Sequence, residues 1–240
     1  MKDLRTYVLE TKKISSIDDY VLEGFKLGKN KIDKEDDIVD LDLPSGTLWC
    51  KYNVGAKPGS TPESWYGDYF MWGDIEPATN KRCVWANYKY INDKLTKYCP
   101  FDEPAFWDGK GKPDNKLVLN KEDDMAAANM KGDWKMPTKE QLQELLDNTT
   151  NEWVKDYNDI HELNGRVFTS KTNGNTLFIP AAGRRYDNSV QYGGSRVHIW
   201  TSTLSTENPT WASYLYSLSY STSTDDYVRY LGYSVRAVTN

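Results

Sequence analysis

The chain has 240 residues, which suits one domain with an appendage or two small domains, and nine Trp and seventeen Tyr supplement a modest hydrophobic content of 38%. Its net charge of −5 argues against a general nucleic-acid-binding protein, which would present a basic face. No stretch reaches the roughly 18 apolar residues that a membrane-spanning helix needs, and no secretory signal is visible after Met1.

The N-terminal segment, residues 1–37, is rich in Lys, Asp and Glu. Apolar side chains recur in it at helical spacing, at Ile14, Ile17, Val21 and Phe25. We predict a charged helical appendage and linker that lies outside the main domain. Two interpretations stay open: the helix tethers the chain or forms a homo-oligomer, or it simply packs on the main domain.

The main domain is predicted over residues 38–240. It begins with a half-buried strand, because Val39, Leu41 and Leu43 alternate with aspartates. Residues 58–116 carry many Pro, Gly, Asp and Trp with little periodicity, so we expect long, ordered loops pinned by tryptophans.

Two helices are predicted next. Asn120 is expected to cap the first, with Asp123 at its N3 position and the Asp123-Asp124 pair favoured by the helix N-terminus. The sequence Thr138-Lys139-Glu140-Gln141 is a capping box that opens the second helix.

An antiparallel region is predicted after these helices. Asn173-Gly174 lies between two apolar runs and indicates a β-hairpin, and the chain beyond Gly183 is β-prone to its end. The elements together predict an α+β fold, in which a few helices pack against a small antiparallel sheet with long loops.

Residues for catalysis or metal binding are sparse. The chain has two histidines, His161 and His198, and none of the common nucleophile, zinc or phosphate-loop motifs. The tripeptide Glu207-Asn208-Pro209 does not specify the six or more oxygen ligands of Ca²⁺. We therefore expect no catalytic residue, no metal and no cofactor.

The three cysteines, Cys50, Cys83 and Cys99, have no metal-binding or disulfide-framework spacing. Three reduced, partly buried thiols are the favoured interpretation, and one disulfide with one free thiol is the alternative.

The C-terminal 69 residues differ in composition from the rest, because no lysine follows Lys171 while eight tyrosines stand among many Ser and Thr. Tyrosine gives a large amphipathic contact with few rotatable bonds, and Ser, Asn and Gly add adaptable hydrogen bonds, as in antibody paratopes. A tyrosine-rich β-sheet is the alternative. Leu215 lies between Tyr214 and Tyr216, so in a strand these tyrosines face away from the leucine.

Several short segments, taken in order, carry a family pattern: Asp40–Trp49, Asn53–Ala56, Tyr66–Phe70, Trp72-Gly73, Trp134–Thr138, Ile179–Gly183, Trp200–Thr203 and Ser234–Arg236. Over residues 38–240 they resemble the Fibrobacter succinogenes major paralogous domain, common in gut Bacteroidetes and their phages. The resemblance implies a C-type-lectin-like fold like that of formylglycine-generating enzymes. It does not carry their oxidase chemistry, which needs two C-terminal cysteines, since none follows Cys99.

Some members of this family are variable proteins of diversity-generating retroelements, in which adenines near the 3′ end of the gene are randomised. Altered AAC or AAT codons can encode Tyr, Ser, Asn, Asp, His and Arg but not Lys. The C-terminal region of this chain, which lacks lysine and is rich in these residues, resembles the product of such changes. The resemblance implies a variable region of about 184–233 on a fixed framework. The framework residues it implies from the family pattern are Gly183, Trp200, Ser202, Arg229, Gly232, Ser234, Val235 and Arg236. The codon set implies that Gln191, Glu207 and Trp211 are fixed as well, because the altered codons cannot reach Gln, Glu or Trp.

Among the other residues of that region, seventeen are the candidate ligand contacts: Tyr186, Asp187, Asn188, Ser189, Tyr192, Ser195, Arg196, His198, Tyr214, Tyr216, Ser217, Ser219, Tyr220, Asp226, Tyr227, Tyr230 and Tyr233.

The resemblance implies a non-enzymatic, hypervariable display protein, encoded by a phage or a gut bacterium, that recognises a protein or glycan on a cell surface. No nucleic acid or membrane partner is expected. The alternatives are a fixed-sequence carbohydrate-binding module of the cell envelope and a divergent enzyme on the same fold. Localisation stays open among the virion, the cytoplasm before assembly, and the cell surface if an export signal has been removed.

Overall fold

A computed structural model describes residues 37–240. The prediction of a helical appendage concerns residues 1–37, and all of them except Asp37 lie outside the described residues. None of the helices in the described part is long and apolar enough to cross a membrane.

Antiparallel strands and short helices make up the described chain. The strands are, in order, β1 Ile38–Asp40, β2 Leu48–Asn53, β3 Ile91–Asn92, β4 Lys94–Leu95, β5 Thr149–Val154, β6 Gly165–Ser170, β7 Thr176–Pro180, β8 Arg184–Tyr186, β9 Ser189–Gln191, β10 Val197–Leu204, β11 Trp211–Leu218, β12 Ser221–Val228 and β13 Arg236–Thr239. The α-helices are α1 Glu63–Tyr66, α2 Met125–Asn129 and α3 Lys139–Asn148. Short 3-10 turns join several of these elements.

Within residues 37–240 the strands form three sheets of three strands and two of two strands. The sheets have the orders β1-β2-β13, β5-β6-β7, β10-β11-β12, β3-β4 and β8-β9, and all of these pairings are antiparallel. In the first sheet β2 pairs with both β1 and β13, which brings the C-terminal strand beside the start of the domain. The predicted α+β class is confirmed as small antiparallel sheets combined with a few helices.

The main core forms where α3 packs on strands from three sheets. Leu142 and Leu145 of α3 are buried together with Leu41, Leu43 and Leu215 and with other apolar side chains of the core cluster. The alternation predicted at the start of the domain is confirmed in burial, because Leu41 and Leu43 are buried and the aspartates between and before them are exposed. The strand β1 itself ends at Asp40, before the alternating sequence pattern ends.

The predicted hairpin is also confirmed, with a longer loop than the sequence signal suggests. Strands β6 and β7 pair in a register that sets Thr169 opposite Thr176. The loop is four residues long, 171–174, instead of a two-residue turn, because the backbone N–H of Ser170 donates to the carbonyl of Asn175 at 2.9 Å. Gly174 has a φ of 74°, a left-handed conformation that glycine adopts without steric cost.

One helix cap is as predicted and the other is not. Thr138 and Gln141 form the reciprocal capping box at the start of α3. The start of α2 is capped by Asp124, whose carboxylate accepts the N–H groups of Ala126 and Ala127, so the prediction for Asn120 is wrong. Asn120 precedes a separate 3-10 turn, and that turn interposes three residues between it and the helix.

Asp123 does not occupy the N3 position of α2, because it precedes Asp124, the cap of that helix. It is buried and accepts hydrogen bonds from Lys97 and from the hydroxyls of Tyr90 and Tyr98. Burial opposes its ionisation, but these donors outweigh burial and lower the pKa of Asp123 to about 2. The carboxylate therefore ties the 90–98 loop to the segment before α2.

The long region 58–116 is mostly ordered loop, as predicted, but it also contains α1 and the short strands β3 and β4, and tryptophans anchor it. The indole N–H of Trp72, which is fully buried, donates to the carbonyl of Thr201 at 2.8 Å. Trp65 and Trp107 bond within their own loops, to Gly59 and Gly111. Since Trp72 bonds directly to β10, it fixes this loop region against the C-terminal sheet.

All three cysteines are buried and unpaired. The interpretation as reduced thiols is confirmed, and the alternative with one disulfide is wrong.

Candidate functional site

The sheet β10-β11-β12 has two faces of different character. Ile199 and Leu215 are cross-strand partners and belong to the main core. Tyr214 and Tyr216 pair with Trp200 and His198 on the opposite face. The predicted separation of the tyrosines from Leu215 is therefore confirmed, because side chains alternate along a strand.

A second chain segment covers part of the tyrosine-bearing face. Tyr233 pairs with Phe70, and Ser234 runs beside Ile199. The ring of Tyr233 consequently stacks on Trp200 at 4.1 Å between centroids and lies 5.0 Å from Tyr214. Tyr233 and Tyr214 are buried, so they do not belong among the ligand contacts. Their aromatic packing stabilises the layer beneath the surface.

His198 lies in the same buried layer, 3% exposed, and it too is removed from the contact set. Its Nδ1 is 3.1 Å from the carbonyl oxygen of Gly183, and its ring is 4.8 Å from that of Tyr233. Burial lowers the pKa of His198 to about 3, so the imidazole is neutral near pH 7 and donates Nδ1–H to the carbonyl. His161 is 90% exposed, and its nearest carboxylate, Asp156, is 3.4 Å away.

Two further candidates point toward the core side of the sheet. The hydroxyl of Ser217 is buried and accepts Nε–H of Arg166 at 3.0 Å. Asp226 accepts hydrogen bonds from Ser205 and Ser213 and pairs with Lys139 on α3. The strand period places both residues opposite to the exposed tyrosines, so these two predicted contacts are structural ties instead.

The other predicted contacts reach solvent. Four tyrosines are well exposed, Tyr220 at 82% and Tyr186, Tyr192 and Tyr227 at 40–41%. The exposed polar candidates are Asn188, Ser189, Ser195 and Ser219, and the half-buried candidates are Asp187, Arg196, Tyr216 and Tyr230. We call these twelve residues the tyrosine surface.

The β8–β9 hairpin carries one end of the tyrosine surface on a fixed turn. Asp187 sits in a left-handed conformation, φ 51°, and forms a bidentate ion pair with Arg82. The hydrogen bonds from Arg82 lower the pKa of Asp187. The backbone of Asp187 also exchanges two hydrogen bonds with Cys83. A distant loop therefore holds the turn, and sequence patterns gave no sign of Arg82 because 105 residues separate the pair.

Aromatic side chains outside the predicted set support the exposed tyrosines. Trp85 contacts Tyr230 edge-on at 5.1 Å, and Tyr230 lies 6.5 Å from Tyr186. Trp211 stacks on Tyr227 at 6.1 Å. Such ring contacts restrict side-chain motion, which lowers the entropy cost when a ligand packs on these tyrosines.

Arginines sit among the tyrosines at the other edge of the hairpin. The guanidinium of Arg196 lies 3.8 Å from the ring centroid of Tyr192, and that of Arg184 lies 5.2 Å from it. These cation–π contacts orient Tyr192 while leaving 41% of it exposed.

The eight framework residues of the family pattern are all buried: Gly183, Trp200, Ser202, Arg229, Gly232, Ser234, Val235 and Arg236. Of the other residues expected to be fixed, Gln191 and Trp211 are half-buried and Glu207 is exposed, so burial does not mark them as framework. A side chain at Gly183 would place its Cβ 2.2 Å from the carbonyl oxygen of Gln191, and φ there is 68°. Arg236 donates to Asn53 and to the carbonyl of Phe178 at 2.9 and 3.0 Å. Burial lowers the pKa of Arg236 to about 10, which leaves it charged near neutral pH.

Within residues 37–240, no group of three or more His, Cys, Asp and Glu is arranged to hold a metal ion. Comparisons with protein-family models, curated proteins and solved structures find no match to this chain.

Proposed function

We propose that this chain is a ligand-binding display protein, with a C-type-lectin-like fold, that recognises a protein or glycan on a cell surface through the tyrosine surface. The resemblance to variable proteins of diversity-generating retroelements motivates this function. Binding, without catalysis, is the activity proposed.

The observation that carries the proposal is the division of the C-terminal region into two populations. Twelve of the seventeen candidate contacts form the exposed or half-buried tyrosine surface and five are buried or face the core side, whereas the eight framework residues of the family pattern are all buried. Substitutions on an exposed surface change stability by about 0.5 kcal/mol or less, whereas those in a core cost several times more. Side chains at the surface can therefore vary while the fold persists.

The chemistry of the surface also supports recognition. Its exposed tyrosines offer apolar rings with hydroxyl groups, and the serines and asparagine between them offer small hydrogen-bonding groups, as paratopes do. The ion pair from Arg82 fixes the β8–β9 turn, and the edge-on contact from Trp85 restricts the ring of Tyr230. These parts of the surface are therefore ordered before a ligand binds.

Two matched libraries test the proposal. One randomises Tyr186, Asn188, Ser189 and Tyr192, and the other randomises the same number of buried positions, namely His198, Tyr214, Ser217 and Tyr233. Most members of the first should unfold cooperatively near the wild-type temperature and yield binders when selected against a cell-surface glycoprotein. The second should be largely unfolded. Equal losses of folding in both libraries would refute the proposal.

The gene provides an independent test. Downstream DNA should contain a near-copy of the 3′ end that differs at adenines, with a reverse transcriptase gene nearby. Sibling genes that differ no more at the tyrosine surface than elsewhere would contradict diversification. Specific binding of the wild-type chain to a glycan array would then favour the fixed-sequence carbohydrate-binding module.

A further inference from the structure

The sheet β10-β11-β12 has one covered edge and one open edge. On the covered side, Thr203 of β10 bridges to Val118 and Ile199 of β10 bridges to Ser234. On the other side, β12 pairs with β11 through all eight of its residues without a break in register. No further strand or isolated bridge among residues 37–240 lies beside β12. The outer edge of β12 is therefore free in the described part of the chain.

The hairpin turn decides which main-chain groups point to this free edge. Two residues join β11 to β12, so Leu218 and Ser221 exchange the closing pair of hydrogen bonds. Main-chain direction alternates along an antiparallel strand, so the N–H and C=O groups of Thr222, Thr224 and Asp226 point away from β11. The N–H of Asp226 agrees with this direction, because it donates to a side chain and not to the ladder.

Two of these residues present unpaired main-chain groups to solvent. At this edge, no main-chain group from residues 37–240 pairs with the N–H or C=O of Thr222 or Thr224. Both threonines are half-buried, and their neighbours Ser221, Ser223 and Asp225 are exposed, so the edge reaches solvent. Two donors and two acceptors are thus available at the spacing of a β-ladder.

Only the far end of this edge is protected. Native proteins blunt free edges with Lys, Pro, bulges or a covering segment, because an unpaired strand recruits other chains. The register of β12 is unbroken, and the strand contains neither Lys nor Pro. Near its end, the carboxylate of Asp225 accepts the N–H of Asp226 at 2.8 Å, and the carbonyl of Val228 accepts another main-chain N–H. Residues 221–225 are therefore the part of β12 that can take a further strand.

The chemistry of the free edge identifies its occupant as an extended polypeptide. Another strand carries N–H and C=O groups at the matching spacing, whereas the hydroxyls of a saccharide do not repeat in this way. A second copy of this chain is disfavoured, because it would bring the exposed carboxylates of Asp225 from both copies into one short ladder. Asp225 forms no salt bridge in the described range, so it favours a segment that carries Lys or Arg.

The free edge adjoins the tyrosine surface. Tyr220, 82% exposed, lies in the turn that leads into β12, and Tyr227, 40% exposed, lies within β12. A strand added beside residues 221–225 would have these two tyrosines at its ends. Such a ligand would gain main-chain hydrogen bonds from the edge and specificity from the neighbouring side chains, as in other cases of β-strand addition.

We propose that the ligand is a protein, and that an extended segment of it pairs as an additional strand with Thr222 and Thr224 of β12. That the occupant is a ligand rests on the proposed function, whereas the preference for an extended polypeptide rests on the edge alone. Side chains of the tyrosine surface then select among ligands, and the main chain of β12 supplies a contact that only a substitution to proline removes.

Selection of linear peptides against the full chain tests the proposal. The probe is a display library of random peptides about ten residues long, which is the upper length of a common strand. Enriched peptides should slow the hydrogen exchange of the Thr222 and Thr224 amides, whereas the Ser223 and Asp225 amides are already protected by β11. N-methylation of every second peptide residue should abolish binding, and N-methylation of the residues between them should not, because successive N–H groups of a strand point to opposite sides.

Matched variants of the protein locate the pairing. Thr224→Pro removes one N–H from the free edge, leaves the ladder with β11 intact, and should weaken peptide binding by at least about tenfold. Thr224→Val keeps that N–H and the shape of the side chain, and should bind peptides as the wild type does. Amide spectra report whether each variant keeps the fold. If Thr224→Pro does not fold, the N-methylated peptides test the same contact on the wild-type chain.

Four results would overturn the proposal. The first two are a selection that enriches no peptide, and enriched peptides that leave the exchange of the Thr222 and Thr224 amides unchanged. The third is a folded Thr224→Pro variant that binds as tightly as the wild type. The fourth is protection of the same amides by self-association of the free chain, which would assign the edge to a second copy. The two libraries vary side chains and measure folding, so failure of the edge and failure of the display function give distinguishable results.

Discussion

Replacing His198 with phenylalanine should reduce the sensitivity of this protein to mild acid. In the folded chain, burial holds the pKa of His198 at about 3, and in the unfolded chain a histidine titrates near its ordinary value of about 6.5. Between these two pH values the unfolded chain binds a proton that the folded chain does not. Acidification therefore favours unfolding over that window.

The size of the effect follows from the two pKa values. Each pH unit below about 6.5 costs about 1.4 kcal/mol, so lowering the pH from about 7 to about 5 removes about 2 kcal/mol of stability through His198. That is a large part of a total of about 5–15 kcal/mol. His198→Phe keeps an aromatic ring against Tyr214 and Tyr233 but cannot be protonated. Near neutral pH it should be less stable by about 1–3 kcal/mol, because the carbonyl of Gly183 loses its donor.

The assay is urea denaturation followed by tryptophan fluorescence at pH values of about 7, 6 and 5. The stability deficit of His198→Phe should shrink by about 2 kcal/mol across this range. His161→Phe is the matched control, because the side chain of His161 is 90% exposed, and it should keep most of the wild-type pH dependence. Parallel pH profiles for the wild type and His198→Phe would refute the assignment of His198 as a buried, neutral side chain.

Three further predictions concern stability and reactivity. Tyr233→Ala should cost about 3–5 kcal/mol in urea denaturation and Tyr220→Ala less than about 0.5 kcal/mol, because only the first ring is buried; equal costs would contradict this. Asp124→Ala should cost about 2 kcal/mol by removing the α2 cap, with Asn120→Ala close to wild type, and the opposite order would restore Asn120 as the cap. The three cysteines should resist iodoacetamide in the native state and all react in urea, because they are buried and burial raises the pKa of each thiol. Rapid labelling of the native protein, measured by mass spectrometry, would contradict this.

Two long-range features explain why the predicted contacts divide as they do. Tyr214 and Tyr227 look alike in sequence, yet only Tyr214 is covered, because Tyr233 is held over that part of the sheet by its pairing with Phe70. Asp187 and Asp226 also look alike, yet Arg82 binds the first at the surface, while the second pairs with Lys139 of α3.

The sequence by itself determined what depends on neighbouring residues. Backbone periods of 2 and 3.6 explain the alternating burial at Leu41 and Leu43 and the opposite directions of Tyr214 and Leu215. Local hydrogen bonds explain the capping box at Thr138 and the hairpin around Gly174. These are properties of a few consecutive residues, so they can be inferred without knowing the rest of the fold.

Only the tertiary structure decided what reaches solvent and what meets across the chain. Three features depend on residues that are far apart in sequence: the burial of His198, the ion pair between Arg82 and Asp187, and a pocket between α1 and the segment after β9. The physical reason is that local pattern fixes the direction of a side chain relative to its own backbone. Packing of distant segments then fixes whether water or protein lies in that direction.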